Sequence, residues 1–163
     1  MKTMRLFCGI LIGLMIFSSC SNDDDNDINQ NTNLIIGTWK PIKEVDVCST
    51  GSEEIFDFDN CTQQSRYVFT SHDNPGLETD GTIMITERNL ENGECATIYT
   101  GLGTWSLNGD NFVITTDGET NNPTFFELTS NRLRIGYYDD EPNNTCDGGN
   151  LPSHYYTELV RVE

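Results

Sequence analysis

The side chains with the most reactive chemistry in this 163-residue chain are six cysteines and two histidines, and their spacing limits what they can do. Cys48, Cys61, Cys95 and Cys146 are separated by 12, 33 and 50 residues, with no C-x-x-C pair among them. Tetrahedral zinc sites draw thiolates from close pairs, so this spacing argues against a metal and for two disulfides, for which three pairings exist. His72 and His154 stand alone, one in a polar connection and one at the start of an apolar run. No G-x-S-x-G, H-E-x-x-H or phosphate-cradling glycine loop accompanies them. Two acidic stretches, "DFDN" at 57–60 and "DDEPNN" at 139–144, offer oxygen ligands suited to calcium, but neither has the spacing of an EF-hand loop. The sequence therefore predicts no catalytic residue, no metal site, no cofactor and no enzyme.

Charge narrows the partners further. Lys and Arg total 9 against 26 Asp and Glu, a formal net charge of −17. Removing residues 1–19 takes away Lys2 and Arg5 and moves the balance to −19. Such a chain repels phosphate backbones and anionic headgroups, which excludes nucleic acid as a partner and electrostatic docking on lipid as a mode of attachment.

The other two cysteines, Cys8 and Cys20, belong to the amino terminus. Lys2 and Arg5 precede twelve apolar or small residues, "LFCGILIGLMIF" at 6–17, and Ser18 and Ser19 follow. Twelve residues make a helix of about 18 Å, well short of the ~30 Å hydrocarbon core of a bilayer, so residues 1–19 read as an export signal. "FSSC" at 17–20 resembles the lipobox of bacterial lipoproteins, with Phe17 where Leu is usual. That resemblance implies cleavage before Cys20, a lipid thioether on its sulfur and an acylated amine, palmitate among the acyl groups. More than one acyl chain is enough for stable anchoring. The alternative is ordinary secretory cleavage with Cys20 incidental. Residues 21–33, "SNDDDNDINQNTN", hold one apolar side chain and four negative charges, too little to bury and enough to self-repel. Residues 20–33 thus read as an acidic, disordered tether. Its serine-then-aspartate start resembles the surface-export signal of Bacteroidota lipoproteins, implying an outer-membrane lipoprotein on the cell surface in preference to the periplasmic face.

From residue 34 onward the elements that must position any site read as strands. Eight runs rich in β-branched and aromatic residues lie near 34–46, 65–71, 81–88, 96–107, 111–117, 123–130, 132–139 and 154–162, divided by Gly, Asn, Asp and Pro clusters. No window carries a convincing 3.6-residue stripe. "LNGD" at 107–110 places Asn108 and Gly109 where a two-residue type I′ turn needs positive φ, and "TSNR" at 129–132 serves similarly. Sequential hairpins argue for an up-and-down meander, and eight antiparallel strands so ordered close into a barrel without exposed edges. In such a barrel the two "GTW" copies, at 37–39 and 103–105, share one pole, and all four remaining cysteines share the other. Closure puts the eighth strand beside the first, which favours pairing Cys48 with Cys146 and Cys61 with Cys95. The pairing of Cys48 with Cys61 and Cys95 with Cys146 stays open as the alternative.

In this order, "IIGTWKPIKEV" (35–45), "RYVFTS" (66–71), "GTWSLNGDNFVI" (103–114), "FFELTSNRLRI" (125–135) and "YYTELVRVE" (155–163) resemble the lipocalin-like domain of Bacteroidota lipoproteins. The resemblance covers residues 34–163. It implies a calyx-type barrel closed at the tryptophan pole, with the connection at 47–64 lying across an open mouth at the cysteine pole and the connection at 139–153 beside it. Alternation points Trp39, Tyr67, Phe69, Ile83, Ile85, Trp105, Phe112, Ile114, Phe126, Leu128, Leu133, Ile135 and Tyr137 inward as candidate ligand-binding residues. Eight-stranded barrels are just wide enough to fill with such side chains or to hold one small ligand. Two functions from different classes follow. One is a membrane-anchored barrel that binds a small apolar or amphipathic ligand. The other is a filled barrel that displays its rim loops to a protein or glycan partner.

Overall fold

Alternating apolar and polar residues give most segments of this chain one face that water rejects, and a single curled sheet gathers those faces into one interior. The computed structural model describes residues 34–72, 79–139 and 148–162. The expected signal peptide, Cys20, the acidic tether, and Cys146 with most of the 139–153 connection lie outside them. Ten strands form the sheet: β1 (Gly37–Val47), β2 (Glu53–Asp57), β3 (Arg66–Ser71), β4 (Asp80–Glu91), β5 (Glu94–Asn108), β6 (Asn111–Thr116), β7 (Glu119–Asn121), β8 (Phe125–Leu128), β9 (Arg132–Tyr138) and β10 (His154–Arg161). They follow the order β7-β6-β5-β4-β3-β1-β10-β9-β8, every pair antiparallel, with β2 on β1 beyond β3. Among the described residues no helix is long and apolar enough to cross a membrane.

This corrects the expected eight-stranded closed barrel in two respects. First, each of the eight runs contains a strand, but two more strands form. β2 occupies part of the 47–64 segment that was expected to lie across the mouth; instead it extends the wall, pairing Lys43–Val47 with Glu53–Asp57. Second, the sheet is not closed by hydrogen bonds. β10 does pair with β1, along Trp39–Val47, and the gap falls elsewhere, between the edge strands β7 and β8. Those two are consecutive in sequence and joined by residues 122–124, where Pro123 is buried and has no N–H to give a ladder. Side chains span the gap: the rings of Phe112 (β6) and Phe126 (β8) stack with centroids 4.8 Å apart.

The turns follow their residues. Asn92 and Gly93 both have positive φ between β4 and β5, as do Asp117 and Gly118 between β6 and β7, the requirement of type I′ hairpins. The expected turn at Asn108 and Gly109 shifts by one residue. Asn108 pairs with Asn111, leaving Gly109 and Asp110 as the central pair, with positive φ at Gly109 alone. The inward placement of Leu107 and Phe112 fixes that register, since a slip would turn both outward.

One pole of the interior is solid. Ile35, Trp39, Phe69, Ile83, Ile85, Trp105, Leu107, Phe112, Leu133 and Leu159 form its buried core. Each indole N–H is satisfied, Trp39 donating to the Ile35 carbonyl at 2.7 Å and Trp105 to the Thr70 carbonyl at 3.0 Å. Gly81 makes the second bond reachable: a Cβ there would stand 1.8 Å from Thr70 O and 2.7 Å from the indole nitrogen. Arg161 closes this pole. Its guanidinium lies 4.3 Å from the Trp39 ring and donates to the carbonyls of Leu34, Ile36 and Ser130. Burial lowers its pKa.

A β-bulge decides what the rest of β1 presents. The register with β10 shifts between Pro41 and Lys43, so Trp39 and Pro41 face inward, and after the bulge Glu44 does, while Lys43, Val45 and Val47 face out. On the outer face Val45 packs with Phe125 and Tyr156. There Glu158, only 6% exposed, accepts from Arg134 at 2.8 Å and lies 3.8 Å from Lys43. Arg134 also holds Glu127 at 3.0 Å.

Candidate binding cavity

Above the solid core the interior opens. A cavity of about 620 Å³ lies among β1, β3, β4, β5, β6, β7, β9 and β10, within the size range of small-molecule sites. Its apolar surface comes from Ile85, Ile114, Ile135, Leu159 and Pro123. Tyr67, Tyr99, Tyr137 and Tyr155 stand around it, with Thr116 and Thr157. Four carboxylates, Glu44, Glu87, Asp117 and Glu119, and the amide of Asn121 add to the polar lining, and among the described residues no Lys, Arg or His joins them.

Two of these carboxylates are fixed by phenols. Tyr67 donates to Glu87 at 3.0 Å, and Tyr99 donates to Asp117 at 2.7 Å. Burial, helped by the adjacent Glu87 charge and its hydrogen bond, pushes the Tyr67 hydroxyl well above the usual tyrosine range. The bond to Asp117 raises Tyr99, and burial followed by the neighbouring Tyr155 raises Tyr137. These three hydroxyls therefore stay protonated donors at neutral pH. The Tyr99 ring lies over Gly101, whose absent side chain leaves the room: a Cβ would stand 2.4 Å from the ring's Cζ. The rings of Tyr137 and Tyr155 lie side by side, tilted by 37° with centroids 5.8 Å apart.

A second cavity of about 390 Å³ lies behind the first and shares Tyr67, Glu87 and Thr157 with it. Its far wall is Phe58, Thr62 and Ser65, from the segment carrying a short 3-10 helix at Thr62–Gln64. Cys61 precedes that helix and is bonded to Cys95 near the start of β5, so a covalent tie fixes the wall to the β4–β5 hairpin. Arg88, on this second cavity, donates to Gln64 at 2.9 Å. The Cys61–Cys95 bond removes the alternative pairing. Cys48 is also disulfide-bonded, and its expected partner Cys146 lies outside the described residues.

The thirteen residues expected to line a pocket divide in two. Tyr67, Ile85, Ile114, Ile135 and Tyr137 line the cavity. Trp39, Phe69, Ile83, Trp105, Phe112 and Leu133 are instead the buried plug beneath it, and Phe126 and Leu128 pack against that plug. Strand alternation fixes the face of a residue and leaves its height along the strand undetermined, so inward residues fall on both the core and the cavity. The inner face of β10, Tyr155, Thr157 and Leu159, went unassigned in the sequence although the same alternation marks it. The four carboxylates and Tyr99 carried no signal separable from the abundant surface acids. Among the described residues no cluster of three or more His, Cys, Asp or Glu side chains is arranged to hold a metal. His72 bonds Asp80 at 3.1 Å, and His154 stacks on Phe125 at 4.5 Å on the outer face.

Comparison with known proteins adds a family. The profile described as a Lipocalin-like domain matches residues 35–135. A solved structure described as "Structure of EF1p2_mFAP2b bound to DFHBI" is similar at 13% identity over 83% of this chain and 99% of that chain, with a TM-score of 0.37. No curated protein matches the sequence.

Proposed function

Because this chain belongs to the lipocalin-like domain family, we propose that it is an exported, lipid-anchored binding barrel that takes one small apolar or amphipathic molecule into its interior. The observation that carries this reading is the 620 Å³ cavity set on a solid core, apolar below and ringed by hydroxyls above. A void of that size holds a molecule of drug-like dimensions, buries its apolar body on Ile85, Ile114, Ile135 and Leu159, and orients it by hydrogen bonds. The reading has no catalytic step. Attachment through Cys20 and display at the cell surface rest on the "FSSC" and "SNDDDND" stretches. The other reading, a filled barrel recognised through its rim by a macromolecule, requires a core packed through to the mouth, and the cavity speaks against it.

Fluorescence of N-phenyl-1-naphthylamine with the full chain tests the cavity. Emission should rise and saturate at about one probe per chain, and Ile114→Trp, which fills the space, should abolish the rise while the far-ultraviolet circular dichroism is kept. No uptake by the unaltered chain, together with no small molecule retained in native mass spectrometry, would remove the binding reading. Labelling with radioactive palmitate tests the anchor, since Cys20→Ser should eliminate it.

A further inference from the structure

We propose that the molecule this cavity takes is an amphipathic cation, an amine or amidine on an aromatic or branched apolar body. The proposal rests on the binding-barrel reading and specifies its ligand class. Its basis is a contrast in how the fold treats carboxylates. On the outer face, where Glu158 is almost fully buried, the chain supplies it with Arg134 and Lys43, and Arg134 serves Glu127 as well. Unpaired charge beside low-dielectric protein is costly, and those cations offset the cost. Within the cavity the same chain places the half-buried Glu44 and Glu87, and at its edge the exposed Asp117 and Glu119, with no cation lining the space among the described residues. Arg88, the basic side chain beside Glu87 in sequence, turns to the second cavity and to Gln64.

The partners these carboxylates do have leave them able to take more. Tyr67 and Tyr99 each give one hydrogen bond, to Glu87 and Asp117, and a carboxylate has lone pairs for about four. Glu44 and Glu119 make no ion pair among the described residues. An ammonium group brings three donors and a positive charge, and tyrosine rings attract cations in addition. A carboxylate or phosphate ligand would meet like charge on several sides, which disfavours it. The apolar surface of Ile85, Ile114, Ile135 and Leu159 asks for a nonpolar body attached to that head. The formal charge of −17 adds long-range steering of cations toward the protein.

Three probes that share one ring separate the possibilities: 1-naphthylmethylamine, 1-naphthalenemethanol and 1-naphthoate, each titrated calorimetrically into the full chain at pH 7. The amine should bind at least about tenfold more tightly than the alcohol, and the acid more weakly than either; that tenfold corresponds to a single modest charge contact. The preference should shrink as salt is raised, and Glu44→Gln with Glu87→Gln should bring the amine-to-alcohol ratio toward one. Equal binding of amine and alcohol, or tighter binding of the acid, would overturn the cation proposal and leave the binding barrel standing. Failure of all three probes would overturn both.

Discussion

The two poles of this curled sheet handle charge in opposite ways. At the solid pole a cation, Arg161, is used up by the chain itself: it lies over Trp39 and donates to three backbone carbonyls. At the open pole four carboxylates surround a cavity that no described cation lines. One arrangement is complete, and the other has acceptors to spare. The difference teaches that electrostatics here is divided by role, with satisfied charge where strands must be clamped and unsatisfied charge where space is kept.

Breaking the complete pole should have the larger consequence. Trp39→Ala removes a fully buried ring, its bond to the Ile35 carbonyl and the surface beneath Arg161, and should cost about 3–5 kcal/mol in chemical denaturation. At the open pole the analogous element is covalent. Cys61→Ala with Cys95→Ala opens a tie between residues 34 apart and should cost about 2–4 kcal/mol, measured the same way under oxidising conditions. If the double variant costs more than Trp39→Ala, the assignment of the solid pole as the principal source of stability is wrong.

The smallest change comes from the phenols, whose contribution is intact at neutral pH and is lost only in alkali. Tyr67, Tyr99 and Tyr137 have pKa values raised in the folded protein, so the folded chain holds protons that the unfolded chain releases. Their contribution is complete below the unfolded tyrosine value, about 10, and declines as pH climbs through the folded values. Stability should therefore fall above pH ~10, in step with a delayed rise in tyrosinate absorbance that Tyr67→Phe diminishes. A rise in stability over that range would reverse the sign and refute the account of these hydroxyls.

What the sequence conveyed of this fold follows from which residues obey simple alternation. β3, β6 and β9 were legible because Tyr67 and Phe69, Phe112 and Ile114, and Leu133, Ile135 and Tyr137 mark one face without interruption. β2 was not, because all five residues of Glu53–Asp57 are exposed and no buried face betrays the strand. β7 is three exposed polar residues, Glu119–Asn121, shorter than any pattern. The cavity was half legible. Ile83 and Ile85 have the same sequence signature and share the buried core, yet of the two Ile85 also lines the cavity. Glu44 shows the limit most plainly. Counting by twos from Trp39 would put Lys43 inside, and the bulge after Pro41 reverses the count, turning the lysine out to Glu158 and the glutamate in. Because a bulge has no reliable mark in sequence, the charge of the cavity had none either.

The contrast between the poles is most directly tested by one nuclear magnetic resonance titration of the full chain, labelled on tyrosine rings and tryptophan indoles, with 1-naphthylmethylamine. The account predicts that resonances of Tyr67, Tyr99, Tyr137 and Tyr155 move while the indole N–H signals of Trp39 and Trp105 stay in place. Movement of the indole signals with the tyrosines unchanged, or no movement at saturating amine, would contradict it.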